Sequence, residues 1–501
     1  MKPTKNNIKI IFGLKLKQLR QEKKLSLSAL AKKSGLSVSY LNEIESGKKY
    51  PKADKIAELA NTLNVTYDKL VSLKLTRNLA PLGELLESNI FEQLPLDHYG
   101  IDINKLIVIM ANAPLQLSAL VTTLIDMAKS SELSQNNFSR TALRTYKEFN
   151  ENYFPDLENE AEMFSQKYNL MPNLPISSSK LVNILEDKFD YKVDVKKLSE
   201  YPELSEVRGL FVPGQKQFLL LNNNLSDPQK AFILGKELAY KFLNIKDRSY
   251  AYTGSKVDSF DQLLNNLNAS YFSTALIINK DKLINDLKLL FVKHKWDGRE
   301  FLNLIQVYNS TPEMFIQRLA SLSSKFLDLQ QFFFLRFNTA IGTNKFRLTK
   351  ELRLNTNENP GGYQSIEHYC RRWISIGVLK ELEEKINKNR KYDKTVIGIQ
   401  KSQFYNSGDQ YLTISITRRS KTTDDNLSSV TIGFLVNEEL EQTIKFWNDP
   451  KIRIKEVNDT CERCLIADCK ERIAPPVAAE DKTKFDNIKT ALEKLMNEMQ
   501  N

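Results

Sequence analysis

The spacing of apolar residues over the first 75 positions predicts five short helices. Between Ile8 and Lys24 the apolar residues recur at the interval of one helix face, and basic side chains occupy the other face. Serines in N-cap positions and glycines in stop positions then mark two short helices, and two more helices follow. The second and third helices are predicted between Ser26 and Gly35 and between Ser37 and Gly47. The fourth begins at Pro51, and the fifth lies around Leu70 and Val71. The predicted outward-facing side chains of the first helix are Lys15, Lys17, Arg20 and Lys23.

The remaining pattern predicts a multidomain chain with three kinds of domain. Residues 207–212 and 217–221 form a hairpin about Pro213-Gly214, and a helix runs from Pro228 to Leu243. Strand-like segments begin near Phe332. We therefore expect an all-α first domain, a mainly α middle domain with a β-hairpin, and an α+β C-terminal domain. The predicted domains are 1–78, a helical connector over 79–150, the middle domain over 151–330, the C-terminal domain over 331–480, and an amphipathic helix over 481–501 that docks on its own domain.

The charge of the chain is concentrated at one end. The 501 residues have a formal net charge of +11. Residues 1–78 hold 17 Lys and Arg against 6 Asp and Glu, which accounts for the whole excess and leaves the remainder neutral. A basic domain on a neutral body is typical of a protein that binds a phosphate backbone. The sequence shows neither a signal peptide nor a membrane span, so we expect a cytoplasmic protein.

The turn Ser34-Gly35-Leu36-Ser37 joins two short helices and forms a helix-turn-helix, which places its second helix in the major groove. The runs 19–26, 30–37 and 40–48 resemble the Cro/repressor family. The resemblance implies a homodimer on double-stranded DNA. Leu27 stands where that family commonly has glutamine, so the bound sequence cannot be inferred. By the resemblance, Val38, Ser39, Asn42 and Glu43 meet base edges, Tyr40 meets a base or a phosphate, and Arg20, Lys32, Lys33, Lys48 and Lys49 hold phosphates.

The middle domain resembles the ImmA/IrrE metallopeptidases in outline but lacks their metal ligands. A zincin needs two histidines four residues apart with a glutamate between them, and this chain has Lys236, Glu237 and Tyr240. Asn266 or Asn268 stands where the downstream acidic ligand is expected. A protonated lysine has no lone pair for zinc. We therefore predict a degenerate zincin-like domain with no catalytic residues, and a chain that is not an enzyme.

All four cysteines lie in the C-terminal domain. Cys461, Cys464 and Cys469 fall within nine residues, so their thiolates can converge on one metal centre. The fourth ligand is Cys370, or alternatively His368. One close pair, one offset cysteine and one remote cysteine favour an iron–sulfur cluster, with zinc as the alternative.

The order of these parts, with Arg472 and Pro475-Pro476 after the cysteines, resembles the short-chain fatty acyl-CoA regulator family. The resemblance implies a transcription factor that senses a short-chain acyl-CoA and controls genes of acyl-CoA or carboxylate metabolism. It also implies a 4Fe–4S cluster on Cys370, Cys461, Cys464 and Cys469. Coenzyme A needs cations for its phosphates, for which Arg371, Arg372, Arg418 and Arg419 are candidates. The alternatives are a redox or iron-responsive regulator and, third, a metallopeptidase that acts on a repressor.

Overall fold

A computed structural model describes residues 5–72, 135–170, 175–252, 259–355, 367–420 and 426–500. Most of the predicted connector, residues 79–134, lies outside these described residues. The chain divides into two compact units, residues 1–146 with 257–263, and residues 147–256 with 264–501. Within the described ranges, no helix combines the length and the hydropathy that a membrane span requires.

The first unit contains the five predicted N-terminal helices. Its fourth helix begins at Ala53 and not at Pro51, because Lys52 has the extended backbone of an N-cap. The helices are α1 (Lys5–Glu22), α2 (Leu27–Ser34), α3 (Val38–Glu45), α4 (Ala53–Leu63) and α5 (Tyr67–Val71).

The five helices share one apolar core. Leu16, Leu30, Leu41, Ile44 and Leu59 are fully buried in it. The core therefore forms from the helical stripes that the sequence predicts.

The outer face of α1 differs from the prediction at two of its four basic positions. Lys15 is buried, and its ammonium group donates a hydrogen bond to the backbone carbonyl of Ser72. Arg20 pairs with Glu45 on α3. Both cations sit where α1 meets other helices, so they hold the unit together.

The second unit alternates helices with strands and ends in a long helix. Its first elements are α6 (Gln135–Phe149, which begins in the first unit), α7 (Pro155–Lys167), α8 (Ser178–Phe189), β1 (Tyr191–Asp194), β2 (Gly209–Val212), β3 (Gln217–Leu221) and α9 (Asp227–Phe242). Next come α10 (Phe260–Ile277), α11 (Lys280–Phe291), α12 (Gly298–Val307), α13 (Pro312–Phe326), β4 (Phe332–Ala340), β5 (Arg347–Leu354) and α14 (Ile374–Lys388). The last are β6 (Ile397–Phe404), β7 (Gln410–Arg419), β8 (Asn426–Leu435), α15 (Glu438–Thr443), β9 (Ile454–Val457) and α16 (Val477–Gln500).

The predicted hairpin is confirmed and belongs to a three-stranded sheet. Strands β2 and β3 pair antiparallel, with Phe211 opposite Leu219. Strand β1, which the sequence analysis did not predict, pairs parallel to β3. The capping box of Ser226 and Gln229 then starts α9 beside this sheet.

The C-terminal domain is built on a six-stranded sheet in the order β5-β4-β8-β7-β6-β9. Helix α14 covers one face, where Phe333, Leu335 and Phe337 join its core. Gly433 is required on that face, because a Cβ there would lie 2.4 Å from the Phe333 ring. On the other face, Ile397 contacts Gly298 at the start of α12. The sheet is therefore packed between helices of the middle domain and α14.

The apolar stripe of the C-terminal helix faces solvent. Phe485, Ile488 and Leu492 on α16 are 68%, 50% and 55% exposed. The prediction that this stripe docks on its own domain is therefore wrong for these residues. The apolar spacing predicts the helix but carries no information on which surface covers it.

Candidate functional site

Local capping fixes the geometry of the helix-turn-helix. The Ser26 hydroxyl accepts a hydrogen bond from the Ala29 amide at 3.1 Å, and the Ser37 hydroxyl accepts one from the Tyr40 amide at 3.2 Å. Gly35 ends α2 with φ 67°, a conformation that glycine adopts without strain. These caps orient α3 across α2.

Helix α3 presents the predicted reading face to solvent. Val38 is 45% exposed, Ser39 and Asn42 are also exposed, and Tyr40 and Glu43 are half-buried at its edge. Leu41 and Ile44, on the opposite side, are completely buried. All five predicted base-contacting residues are therefore on the solvent side of one helix.

Exposed lysines flank this face. Lys32, Lys33, Lys48 and Lys49 are all exposed. The Lys49 ammonium group lies 4.9 Å from the centre of the Tyr40 ring and 3.4 Å from a Glu43 carboxylate oxygen. Four of the five predicted phosphate-contacting residues are therefore accessible at the surface.

Arg20 is the exception among the predicted phosphate contacts. Its guanidinium donates to both carboxylate oxygens of Glu45, at 2.7 and 2.8 Å, and to the Leu25 carbonyl at 2.8 Å. The hydrogen bond with Glu45 raises the pKa of Arg20. Only 13% of the Arg20 side chain is exposed, so the structure assigns it to holding α1 against α3. No sequence signal pairs these two residues, because they lie 25 positions apart.

Glu237, the glutamate of the zincin outline, is part of a buried ion pair. Glu237 on α9 is fully buried, and the guanidinium of Arg248 donates to both of its oxygens. The hydroxyls of Tyr191, at 3.0 Å, and Tyr252 also donate to Glu237. Burial, and next the Glu237 charge, raise the pKa of both tyrosines. Glu237 thus accepts four hydrogen bonds, so its carboxylate is not free to act as a general base.

Aromatic rings enclose the cation of this pair. The Arg248 guanidinium carbon lies 4.4 Å from the centre of the Phe211 ring and 3.9 Å from that of Tyr240. Tyr240, which stands at a histidine position, therefore packs on the arginine. The sequence analysis did not predict a role for Arg248, because this residue lies outside the zincin motif.

Lys236 occupies the other histidine position and contacts the predicted third-ligand helix. Its ammonium group donates to the Asn266 side-chain oxygen at 2.5 Å. Burial, and next the charge of Lys350, lower the pKa of Lys236 to about 7. The structure brings Lys236, Glu237, Tyr240 and Asn266 together as the zincin outline predicts, but with an amine, a phenol and an amide in place of metal ligands.

Backbone pairing brings two cysteine-bearing segments together. Residues Tyr369 and Thr460 form an isolated antiparallel bridge. Beside it, the Cys461 amide donates to the His368 carbonyl at 2.8 Å, and the Cys370 amide donates to the Asp459 carbonyl at 3.1 Å. Cys370 is therefore held next to the Cys461 segment although 91 positions separate the two in sequence.

One arginine fixes the loop that carries the other cysteines. Arg472 donates to the carbonyls of Cys461 and Cys464 at 2.9 Å each, and to that of Ile466 at 2.7 Å. The Cys464 amide also donates to the Cys461 carbonyl at 3.3 Å. The sequence analysis noted Arg472 only as part of a motif, and its contacts show that it shapes the cysteine loop.

The four cysteines, whose thiolates are the type of donor that thiophilic metals prefer, are mostly buried. Cys370, Cys461 and Cys464 are each 5% exposed, and Cys469 is half-buried. Burial, together with the nearby Cys461 and Cys464 thiols, raises the pKa of Cys370 to about 11. A bound cation would reverse that effect, since thiolates bind metals. Within the described part of the chain, no three His, Cys, Asp or Glu side chains are grouped so that they could hold a metal ion.

His368, the alternative fourth ligand, is engaged elsewhere. Its ring Nδ1 lies 2.7 Å from a Glu462 carboxylate oxygen. Half of its side chain is exposed. Burial beside the other cysteines favours Cys370 over His368 as the remaining donor.

The four arginines proposed for coenzyme A do not share one site. Arg371 is buried, packs 4.5 Å from the centre of the Phe346 ring, and donates to the Asn344 carbonyl at 3.0 Å. Arg418 and Arg419 are consecutive on β7, so they point to opposite faces of the sheet. The structure therefore separates these candidates, and a group of four acting together does not form.

Two of these regions match known protein families. Residues 16–70 match the helix-turn-helix family, and residues 189–320 match the IrrE N-terminal-like domain of the peptidase M78 family. A basic helix-turn-helix with an exposed reading face defines the class of DNA-binding transcriptional regulators. Bacillus subtilis (strain 168) YazB, an HTH-type transcriptional regulator, is 38% identical over 60 residues, which are 12% of this chain and 87% of YazB. The chain belongs to the HTH-type transcriptional regulators.

Two further comparisons differ in how much of each protein they cover. The HTH-type transcriptional repressor RghR of Bacillus subtilis (strain 168) is 41% identical over 61 residues, which cover 12% of this chain and 45% of RghR. The chain thus spans less than half of that repressor. A Mycobacterium tuberculosis transcriptional regulator of known structure aligns over 67% of this chain and 94% of its own, with 15% identity and a TM-score of 0.46.

Proposed function

We propose that this protein is a ligand-controlled regulator that binds double-stranded DNA as a homodimer in the cytoplasm. By this proposal it adjusts genes of acyl-CoA or carboxylate metabolism when a short-chain acyl-CoA is present. The observation that carries the DNA-binding part is the exposed face of α3, with exposed lysines in the segments that precede and follow it. In the middle domain Glu237 is held by Arg248, and Lys236 and Tyr240 stand at the two histidine positions, which supports a non-enzymatic protein.

The DNA-binding part is tested by separating phosphate contacts from base contacts. Lys48→Ala with Lys49→Ala should weaken binding to every duplex and lower the slope of log affinity against log salt by about 2, since each lost phosphate contact removes roughly 0.9. Asn42→Ala should instead change which duplexes are selected from a random-sequence pool. Fluorescence anisotropy at several salt concentrations measures the first effect, and sequencing of the selected duplexes measures the second.

A matched control removes a lysine outside the interface. Lys69 is exposed on α5 and lies near Lys15 of α1, so Lys69→Ala should change the salt slope little. Binding that does not change with salt, or a loss per lysine that is equal at positions 48, 49 and 69, would contradict the proposed interface.

For the sensor domain, we propose that Cys370, Cys461, Cys464 and Cys469 hold an iron–sulfur cluster, with zinc as the alternative. The support is that backbone pairing holds Cys370 beside the Cys461 segment and that Arg472 holds the backbone of the loop with Cys461 and Cys464. Such a cluster supplies an electron-accepting and structure-stabilising centre. The same cysteines support the second candidate, a redox or iron-responsive regulator in which the cluster is itself the signal.

Anaerobic purification separates these proposals. The acyl-CoA proposal expects a brown protein with stoichiometric iron and sulfide that releases heat on titration with butyryl-CoA. Cys464→Ala should lower the iron content, and Leu465→Ala, at an exposed position of the same loop, serves as the matched control that should retain it. A brown protein without heat for any acyl-CoA favours the redox candidate. A colourless protein with stoichiometric zinc rejects the cluster.

A further inference from the structure

One face of the six-stranded sheet carries basic side chains where its strands approach the middle domain. Arg336 on β4 is directly opposite Lys350 on β5. Two residues further along β4, Asn338 is opposite Ser428, which is itself opposite Arg418 on β7. Alternate residues of a strand share a face, so Lys350, Arg336 and Arg418 all lie on the face turned away from α14.

Two residues of the middle domain complete this group. Glu313, in the first turn of α13, lies 2.6 Å from the Lys350 ammonium group and 3.6 Å from the Arg336 guanidinium. Arg208, just before β2, is within electrostatic reach of Glu313, Arg336 and Arg418. We call Arg208, Arg336, Lys350, Arg418 and Glu313 the cationic cleft. It contains four cations around one carboxylate.

The cleft is enclosed by protein and still open to water. Burial, and next the charge of Arg208, lower the pKa of Arg418 to about 10. Burial also lowers the pKa of Arg208. Yet Arg208 is exposed, and 49% of the Lys350 side chain is reached by solvent. These cations are therefore partly desolvated by the surrounding protein and still accessible to a solute.

The positive charge around the cleft exceeds the carboxylates that could balance it. Lys236 and Lys147 are also within reach of Lys350, and burial followed by this repulsion lowers the pKa of Lys147 to about 8. The Nε of Arg336 is buried and makes no hydrogen bond in the described structure, only the long contact with Glu313. Like charges in a partly desolvated recess repel each other, and a bound anion would remove that cost.

We infer that the cationic cleft binds a small molecule with two or more phosphate groups. Arginine forks bind phosphate oxygens in pairs, and several cations suit a ligand with several negative charges. Glu313 keeps Lys350 and Arg336 in place without neutralising the group. The inference deepens the proposed function, because it rests on a regulator controlled by a ligand, and it names the chemistry and the position of that ligand. Nucleotides and coenzyme A share this chemistry.

Calorimetric titration of the full chain with inorganic pyrophosphate, ATP and butyryl-CoA tests the cleft. At least one probe should bind, and Arg418→Ala should weaken that binding by about tenfold or more, because it removes a charge-assisted hydrogen bond. The matched control is Arg419→Ala on the opposite face, whose guanidinium donates to the Arg390 carbonyl at 2.8 Å. That variant should retain the wild-type affinity. Tighter binding of butyryl-CoA than of ATP assigns the phosphates to coenzyme A, and the reverse order assigns them to a nucleotide.

Thermal melting shows whether a loss of affinity is only a loss of fold. Removing one of several repelling cations should leave the melting temperature of Arg418→Ala without ligand at or above that of the wild type. Arg418→Lys should recover part of the affinity, because it restores the charge but not the fork. Absence of heat with all three probes overturns the inference, as does an equal loss in Arg418→Ala and Arg419→Ala.

DNA binding is measured on the same samples by anisotropy, so the two proposals fail separately. Intact DNA binding without heat for any probe rejects the cleft and leaves the regulator in place. Probe binding that depends on Arg418 in a protein that does not bind DNA supports the cleft and rejects the regulator.

Discussion

At the scale of single residues, Glu237 has partners that differ from those of the glutamate in a metallopeptidase motif. In a metallopeptidase the glutamate between two histidines acts on a metal-bound water. Here Lys236 and Tyr240 replace the histidines, and Arg248 supplies the only full positive charge in hydrogen-bond contact with Glu237 among the described residues. A buried carboxylate without a counter-charge is costly, so the pair is required once the metal is lost.

The Glu237–Arg248 pair gives a prediction on stability. Arg248→Met leaves Glu237 buried without its charge partner and should cost roughly 3–5 kcal/mol. The double variant Arg248→Met with Glu237→Leu removes both charges and should recover much of that loss. Calorimetric melting of the second unit measures both effects.

A surface arginine provides the control for that experiment. Arg299 is exposed on α12, and Arg299→Met makes the same chemical change outside a buried pair. It should shift the melting temperature little. A double variant no more stable than Arg248→Met alone would contradict the interpretation of this pair as a charge-balancing unit.

At the scale of elements, the contact between α1 and α3 depends on a glycine inside a helix. A Cβ at Gly13 would lie 2.2 Å from the Ile44 carbonyl oxygen and 3.1 Å from that of Glu45. Both atoms belong to the backbone, so they cannot move aside like a side chain. The close approach explains why a poor helix former occupies the middle of α1.

Gly13→Ala should therefore destabilise the first unit, although alanine is intrinsically better in a helix by about 1 kcal/mol. We expect a lower melting temperature for this unit and weaker DNA binding, because α3 is displaced. Circular dichroism melting and anisotropy measure the two effects.

The C-terminal domain offers the same substitution as a control, with the opposite expected result. Gly377 lies inside α14, and no atom is within 4 Å of a Cβ placed there. Gly377→Ala should leave stability unchanged or raise it by up to about 1 kcal/mol. If both variants behaved alike, the close approach of α1 and α3 would not be the reason for Gly13.

At the scale of the whole molecule, charge separates the DNA-binding part from the rest of the chain. The first 78 residues hold the entire net charge, and the neutral remainder contains the cationic cleft and the cysteines. The cleft shows that a neutral region can still concentrate cations locally. Overall composition therefore indicates which domain binds DNA but does not reveal a site for a small anion.

The fold was predictable where contacts are local in sequence. Ser26, Gly35 and Ser37 act through hydrogen bonds and backbone angles within a few residues, so the helix-turn-helix could be derived from its own segment. The hairpin about Pro213-Gly214 and α9 followed in the same way. The parallel strand β1 was missed, because its partner β3 lies 26 residues further along the chain.

The residues of a site could be predicted only where they belong to one contiguous motif. The reading face of α3 and the run from Cys461 to Cys469 are visible in the sequence because their residues lie on one element or one loop. Arg20 and Glu45, Arg248 and Glu237, and the cations of the cleft come from distant segments that only the packed chain brings together. The sequence by itself determined that the protein binds DNA and where; the tertiary structure decided which cations remain available, because pairing and burial depend on long-range contacts.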